Sequence, residues 1–191
     1  MEDKKQNVFS KELAVKIMIP VLIVIVIGAI WLIKNTGPQA PSDADNSLMN
    51  TAVDSNPDLD LHVTEAIDME KLKSYGLPII IDFGADSCIP CKEMAPVLEK
   101  LNKDLRGKAI IKFVDVWKYQ ELAQGYPISV IPTQVLFDKN GKPFIPSNPQ
   151  GMQMTSYTTK ENPDEVVFTT HEGGMTEDMM LNALKEMGME E

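Results

Sequence analysis

The chain contains two cysteines, Cys88 and Cys91, three positions apart. A single Cys-x-x-Cys pair serves either thiol–disulfide exchange or one half of a metal site. The segment Cys88–Ile89–Pro90–Cys91 follows a continuous apolar run and opens a stretch of helical periodicity, which places it at a strand-to-helix junction. Free backbone N–H groups and the positive end of the helix dipole at such a junction stabilise a thiolate, drawing a thiol below its ordinary pKa of about 8.5. A spacing of three returns the second sulfur to the first within one turn, so a disulfide between them can open and close. Pro90 is tolerated in the first turn, where a missing N–H has no intrahelical role. Cys88 is therefore expected as the exposed attacking nucleophile and Cys91 as the shielded resolving thiol.

The competing chemistries fit less well. Zinc or copper needs further soft or imidazole ligands. The chain offers only His62 and His171, both distant from the pair in sequence. Haem attachment needs a histidine after the second cysteine, where Lys92 stands. A permanent structural disulfide would close too small a loop to stabilise much. Redox chemistry is the expectation, with no metal and no cofactor beyond a Cys88–Cys91 disulfide. Asp82 lies inside the apolar strand just before the pair. Burial should raise its pKa, which suits a group that accepts the proton of Cys91 during exchange.

The elements that must position these residues alternate. Thr64 is expected to cap a helix through Lys73, stopped by Gly76 and Pro78. Ile79 to Phe83 is an apolar run suited to a strand covered on both faces. A helix follows from near Cys88 to Leu105, with Met94, Leu98, Leu101 and Leu105 on one face and Gly107 as its stop. Ala109 to Val116 reads as a second buried strand, Gln120 to Gln124 as a short helix, and Thr133 to Phe137 as a third strand. Asp138–Lys139–Asn140–Gly141 is a hairpin turn signal. Val166 to Thr170 is a further strand, and Thr176 caps a final helix through Met187, ended by Gly188. Met179, Met180, Leu184 and Met187 fall at helical spacing and read as core. This order gives an α/β domain with a mixed sheet. Residues 143–165 lengthen the hairpin and read as a loop. Met152, Met154 and Tyr157 there, with His171, leave a partner or Cu(I) contact open beside ordinary packing.

The segment from Ile80 to Pro96 (IIDFGADSCIPCKEMAP) resembles the active-site segment of the thioredoxin family. The resemblance continues through Gly107–Lys108, Asp115 and Ile131–Pro132–Thr133 to Gly173–Gly174, covering about residues 65–188. It implies a thioredoxin fold, a mixed central sheet flanked by helices. It also implies that Pro132 is a cis-proline facing the disulfide and offering the Ile131 backbone to an extended substrate peptide. Catalytic roles then fall on Cys88, Cys91, Asp82 and Pro132, and Ile89, Pro90, Ile131 and Thr133 line the substrate surface. Pro96 matches a proline that kinks the helix. Three departures stand out. Ser87 replaces the usual tryptophan and Ile89 a glycine. Where many thioredoxins carry a lysine beside the aspartate, the match gives Phe113, with Lys112 expected on the other face.

The remainder of the chain sets the context. It has 191 residues, 43% hydrophobic and 24% charged, which fits a globular protein and excludes wholesale disorder. A net charge of −10 argues against a nucleic-acid surface. Residues 17–33 (IMIPVLIVIVIGAIWLI) carry no charge and would span about 26 Å as a helix, the short edge of a bilayer crossing. Lys4, Lys5, Lys11 and Lys16 precede this segment and only Lys34 closely follows, so residues 1–16 are expected in the cytoplasm and the C-terminal bulk outside it. No small-x-small cleavage site follows, and an uncleaved signal-anchor in the cell membrane is expected. Residues 34–60 have linker composition, leaving 61–191 as the folded domain.

The expected function is a single-pass, membrane-anchored thiol-disulfide oxidoreductase acting on protein disulfides and thiols. Proline before the resolving cysteine resembles the thioredoxin choice and leans towards a reductant. A reductant outside the cytoplasm implies electrons from a membrane dithiol carrier of the cytochrome c biogenesis type. A disulfide-forming oxidase, a Cu(I)-delivery module and a non-catalytic chaperone remain the alternatives.

Overall fold

The computed structural model describes residues 56–190. The expected membrane segment 17–33 and most of the expected linker lie outside them. No helix among the described residues is long and apolar enough to cross a membrane.

A 3-10 turn at Pro57–Leu59 leads into strand β1 (His62–Val63), helix α1 (Met69–Ser74), β2 (Ile79–Gly84), α2 (Ile89–Asp104) and β3 (Ile110–Asp115). A second 3-10 turn at Gln120–Ala123 precedes β4 (Thr133–Phe137), β5 (Met154–Thr158), β6 (Val166–Glu172) and α3 (Glu177–Glu186). The six strands form one sheet in the order β1-β3-β2-β4-β6-β5. The pairs β1–β3 and β2–β3 are parallel; β2–β4, β4–β6 and β5–β6 are antiparallel. The mixed sheet expected from the alternation of elements is therefore present.

Side-chain alternation along the central strands feeds two cores. On one face, Ile80, Ile111 and Leu136 pack with Met94, Leu98 and Leu101 of α2 and Met180 and Leu184 of α3. On the other, Ile79, Ile81, Ile110, Val114 and Val135 pack with Leu72 of α1 and Leu59. Every residue of β2 and β3 is buried, which is why both strands are mostly apolar on both faces rather than alternating, with Asp82, Lys112 and Asp115 as their buried polar exceptions.

Three expectations change. The helix before β2 begins at Met69 rather than after Thr64, because β1 holds the preceding chain extended against β3 and Asp68 caps the helix, its Oδ1 accepting from Lys71 N at 3.0 Å. Residues 56–60 belong to the domain rather than the linker. Leu59 is buried, and the Arg106 guanidinium donates to the Leu59 carbonyl at 3.0 Å and the Asn56 carbonyl at 2.8 Å. Residues 143–165 are not simply a loop. The Asp138–Gly141 turn forms, with Gly141 N donating to Asp138 O at 2.9 Å and Phe144 N to Leu136 O at 3.0 Å. Beyond it the chain leaves β4 and builds β5, an edge strand paired with β6.

Leu98 lies at the centre of the α2 face and is 1% exposed. Leu98→Ala should cost about 2–5 kcal/mol by removing buried methyl groups and leaving a cavity, read as a lower urea midpoint with an unchanged slope.

Candidate active site

The first residues of α2 carry the two sulfurs. Cys88 is the N-cap and its sulfur accepts the Cys91 backbone N–H at 3.4 Å, so the geometry expected for thiolate stabilisation is present. Cys88 and Cys91 form a disulfide with their Cα atoms 5.3 Å apart. Pro90 occupies the first turn and Pro96 lies within the helix. Cys88 is less open than expected, at 8% exposure against 3% for Cys91; the prominent residue is Ile89, at 72%.

The Ile131–Pro132 bond is cis. Ile131 packs against Ala85, Cys88 and Cys91, so this turn faces the disulfide. The Ile131 backbone takes part in no hydrogen bond among the described residues, leaving its N–H and C=O open to another strand. Thr133, expected on the substrate surface, is instead fully buried; its hydroxyl donates to the Val130 carbonyl at 2.8 Å and braces the turn from beneath.

Asp82 is buried on β2 below Cys91. Gly84 explains how the two groups share this space. A Cβ on Gly84 would stand 3.2 Å from Asp82 Oδ2, 3.2 Å from Cys91 Sγ and 2.9 Å from the Phe113 ring. Glycine thus admits a sulfur, a carboxyl and an aromatic ring into one small volume. Burial pushes the Asp82 carboxyl up to about 7, while a hydrogen bond from Gln134 Nε2 to its Oδ1, 2.7 Å long, acts in the opposite direction. Phe113 is the β3 residue directly opposite Asp82. Lys112 leaves from the other face, donating to the Asp60 carbonyl at 2.6 Å, so no lysine neighbours the aspartate. A cavity of about 120 Å³ opens beside Cys91, reaching from Phe113 to His62 and Asp86, with room for a few waters.

Four residues have positioning roles that the sequence did not assign. Asp115 fixes the turn before Cys88. Its carboxylate accepts the backbone N–H groups of Asp86 at 3.1 Å, Trp117 at 3.0 Å and Lys118 at 3.1 Å. Burial pushes the Asp115 pKa up, but these donors together hold it below the usual carboxylate range. Lys118 bridges Asp115 and Asp86. Gly84, Gln134 and His171 are the others. Gly84 and Asp115 lie within the matched family positions and His171 among the possible copper contacts, whereas nothing in the local sequence marks Gln134. His171 lies in the interior, its Nδ1 2.9 Å from Gln134 Oε1, and burial lowers its pKa while the Gly173 backbone opposes that. Met154 is buried in the core beside the helices, with Met152 packed against it.

A disulfide at a helix N-terminus, a raised carboxyl behind its inner sulfur and a cis-proline turn across from it are together the parts of a thiol-exchange site. The thioredoxin family model matches residues 61–158. The thioredoxin of Rickettsia bellii is 35% identical over 81 residues, covering 42% of this chain and 76% of that protein. The bifunctional thioredoxin reductase/thioredoxin of Mycobacterium leprae is 30% identical over 124 residues, 59% of this chain and 27% of that protein. A mutant thioredoxin from Halobacterium salinarum aligns in three dimensions at 25% identity with a TM-score of 0.46, over 69% of this chain and 92% of its own. The chain belongs to the thioredoxin family, and it is a protein-disulfide oxidoreductase of that kind.

The raised Asp82 pKa makes stability depend on pH in a definite direction. Below its ordinary value of 3.8 the carboxyl is neutral whether folded or unfolded and has no effect. Between 3.8 and about 7 only the unfolded chain ionises, so stability falls as pH rises, and above about 7 the loss is complete. Asp82→Asn removes this penalty. In urea titrations of the oxidised protein the variant should gain on wild type with rising pH, by up to about 4 kcal/mol on the alkaline side.

Proposed function

We propose that this chain is a membrane-tethered reductant of disulfides in exported proteins. The observation that carries the redox cycle is the Cys88–Cys91 pair, capped on α2, backed by Asp82 and faced by the open Ile131 backbone. In the reduced protein the Cys88 thiolate attacks one sulfur of a substrate disulfide. The substrate S–S bond breaks, one substrate thiolate leaves and a mixed disulfide forms. Asp82 takes the Cys91 proton, the Cys91 thiolate attacks Cys88 Sγ, and the second substrate thiolate departs. Two electrons have then moved to the substrate and the chain holds its own disulfide. Ile89 and Pro90 form the rim of the docking surface, and Ile131 pairs with an extended substrate segment through its backbone.

The tether is supported by the uncharged apolar segment 17–33 and by the lysines that precede it. An extracytoplasmic reductant needs its disulfide reopened, and a polytopic dithiol carrier of the cytochrome c biogenesis type meets that need from within the membrane. Apocytochrome cysteines or misoxidised exported proteins are the substrates in this reading. Pro90 before the resolving cysteine favours a reductant over an oxidase.

Cys88→Ser should abolish disulfide reduction, whereas Cys91→Ser in intact membranes should accumulate mixed disulfides with an exported client and a polytopic donor. The reduction potential should lie nearer the roughly −270 mV of thioredoxin than the roughly −120 mV of a strong periplasmic oxidant. A value near the latter, or a trapped chain found wholly in the soluble fraction, overturns the reading.

A further inference from the structure

The pairing register lines up one residue from each strand. His62 stands opposite Phe113, Phe113 opposite Asp82, Asp82 opposite Gln134, Gln134 opposite His171, and His171 opposite Met154. Residues directly opposite one another project from the same face of a sheet. Phe113 and Met154 belong to the core beneath α2 and α3, so the whole line lies on that face. Asp82 and Gln134 are fully buried and His171 is 2% exposed. Three adjacent buried polar side chains need partners, and here Gln134 bridges the other two, while Asp82 Oδ2 and His171 Nε2 have no hydrogen-bond partner among the described residues.

The placement of the Gln134 amide gives that chain a direction. Gln134 Nε2 donates to Asp82 Oδ1 at 2.7 Å. Gln134 Oε1, 2.9 Å from His171 Nδ1, can only accept, so His171 carries its proton on Nδ1. Each link then directs a donor towards the carboxylate. The opposite polarity would have a protonated Asp82 donating to a turned amide, with that amide donating to a His171 whose proton sits on Nε2. The first arrangement suits Asp82 as a proton acceptor; the second suits it as an acid.

We infer that Gln134 and His171 are positioning residues for the resolving step: His171, as the Nδ1–H tautomer, locks the Gln134 amide so that its N–H holds Asp82 ready to take the Cys91 proton. This rests on the thiol-exchange cycle proposed above. It gives the aspartate a neutral donor on β4 and β6 where β3 offers only Phe113. The ionisable groups facing this chain are few. Cys91 approaches Asp82 from α2 across Gly84. His62 on β1 closes the far end of the line behind the Phe113 ring, 5.6 Å from it between centroids. Lys112 on β3 and Glu172 on β6 neighbour the line in sequence but lie off it, Lys112 bonded to the Asp60 carbonyl and Glu172 exposed. Met94 and Met175 cover Gln134 from the helical side, the Met94 sulfur accepting from both Gln134 Nε2 at 3.7 Å and Met175 N at 3.2 Å.

Two measurements on the full-length chain decide the matter. Nitrogen NMR of the wild-type imidazoles should find His171 neutral with its proton on Nδ1 near pH 7; a proton on Nε2 overturns the inference without any variant having to fold. The second is the pH profile of single-turnover resolution of a Cys88 mixed disulfide, compared with that of the first attack by Cys88. Gln134→Leu should move the resolution midpoint up by about one unit. His171→Phe should move it the same way by less, and His171→Asn, with an amide nitrogen near the Nδ1 position, should restore it. The profile of the first attack should stay in place. Resolution profiles that superimpose on wild type overturn the positioning role while leaving the oxidoreductase reading intact. Failure of wild type to exchange disulfides strikes that reading instead, and the tautomer still decides the chain.

Discussion

A carboxyl group buried in the middle of a sheet, directly beneath a sulfur, is the constraint around which this molecule is arranged. Asp82 is fully buried with one strong donor, and burial lifts it to about 7. Such a group costs stability at neutral pH, and a fold keeps it only where the surroundings hold it firmly and where its proton is useful. Both conditions are met here. Glycine at position 84 removes the one Cβ that would separate the carboxyl from Cys91, and the first turn of α2 holds the sulfur in place above.

The supporting structure follows from that need. β2 and β3 are buried on both faces because helices cover the sheet on each side, and the same layering buries Asp82. Asp115 ties the turn that carries Cys88 to the end of β3 by accepting the Asp86 N–H, while the N–H groups of Trp117 and Lys118 hold the carboxylate in place, so the nucleophile's position depends on a side chain 27 residues away. The cis turn at Ile131–Pro132 packs on the disulfide from the opposite direction. Helix dipole, carboxyl and substrate-facing backbone thus converge on two sulfurs from three separate parts of the chain.

Much of this was legible in the residues themselves. β2, β4, α2 and α3 lie where apolar runs, helical spacing and the cap Thr176 put them, because burial and capping act within a few residues. The start of α1 was misplaced, since Thr64 and Asp68 are equally good caps by type and only the pairing of β1 with β3 chooses between them. β5 escaped notice because it is an edge strand whose Thr155, Ser156 and Thr158 face water, leaving little apolar alternation to read. The Asp82–Gln134–His171 chain could not be read at all. Its members are brought side by side by the register of three strands, a property of the assembled sheet rather than of any local segment. His171 therefore looked like a possible metal ligand when it is a hydrogen-bonded interior residue.

The central claim is that the α2 N-terminus makes Cys88 the reactive member of a reversible pair. The rate at which a small alkylating agent modifies each cysteine of the reduced chain, followed across pH, tests it most directly. Cys88 should react first, with a midpoint clearly below the roughly 8.5 of a free thiol, while Cys91 stays protected until Cys88 is blocked. Equal reactivity of both thiols with an ordinary midpoint would contradict it.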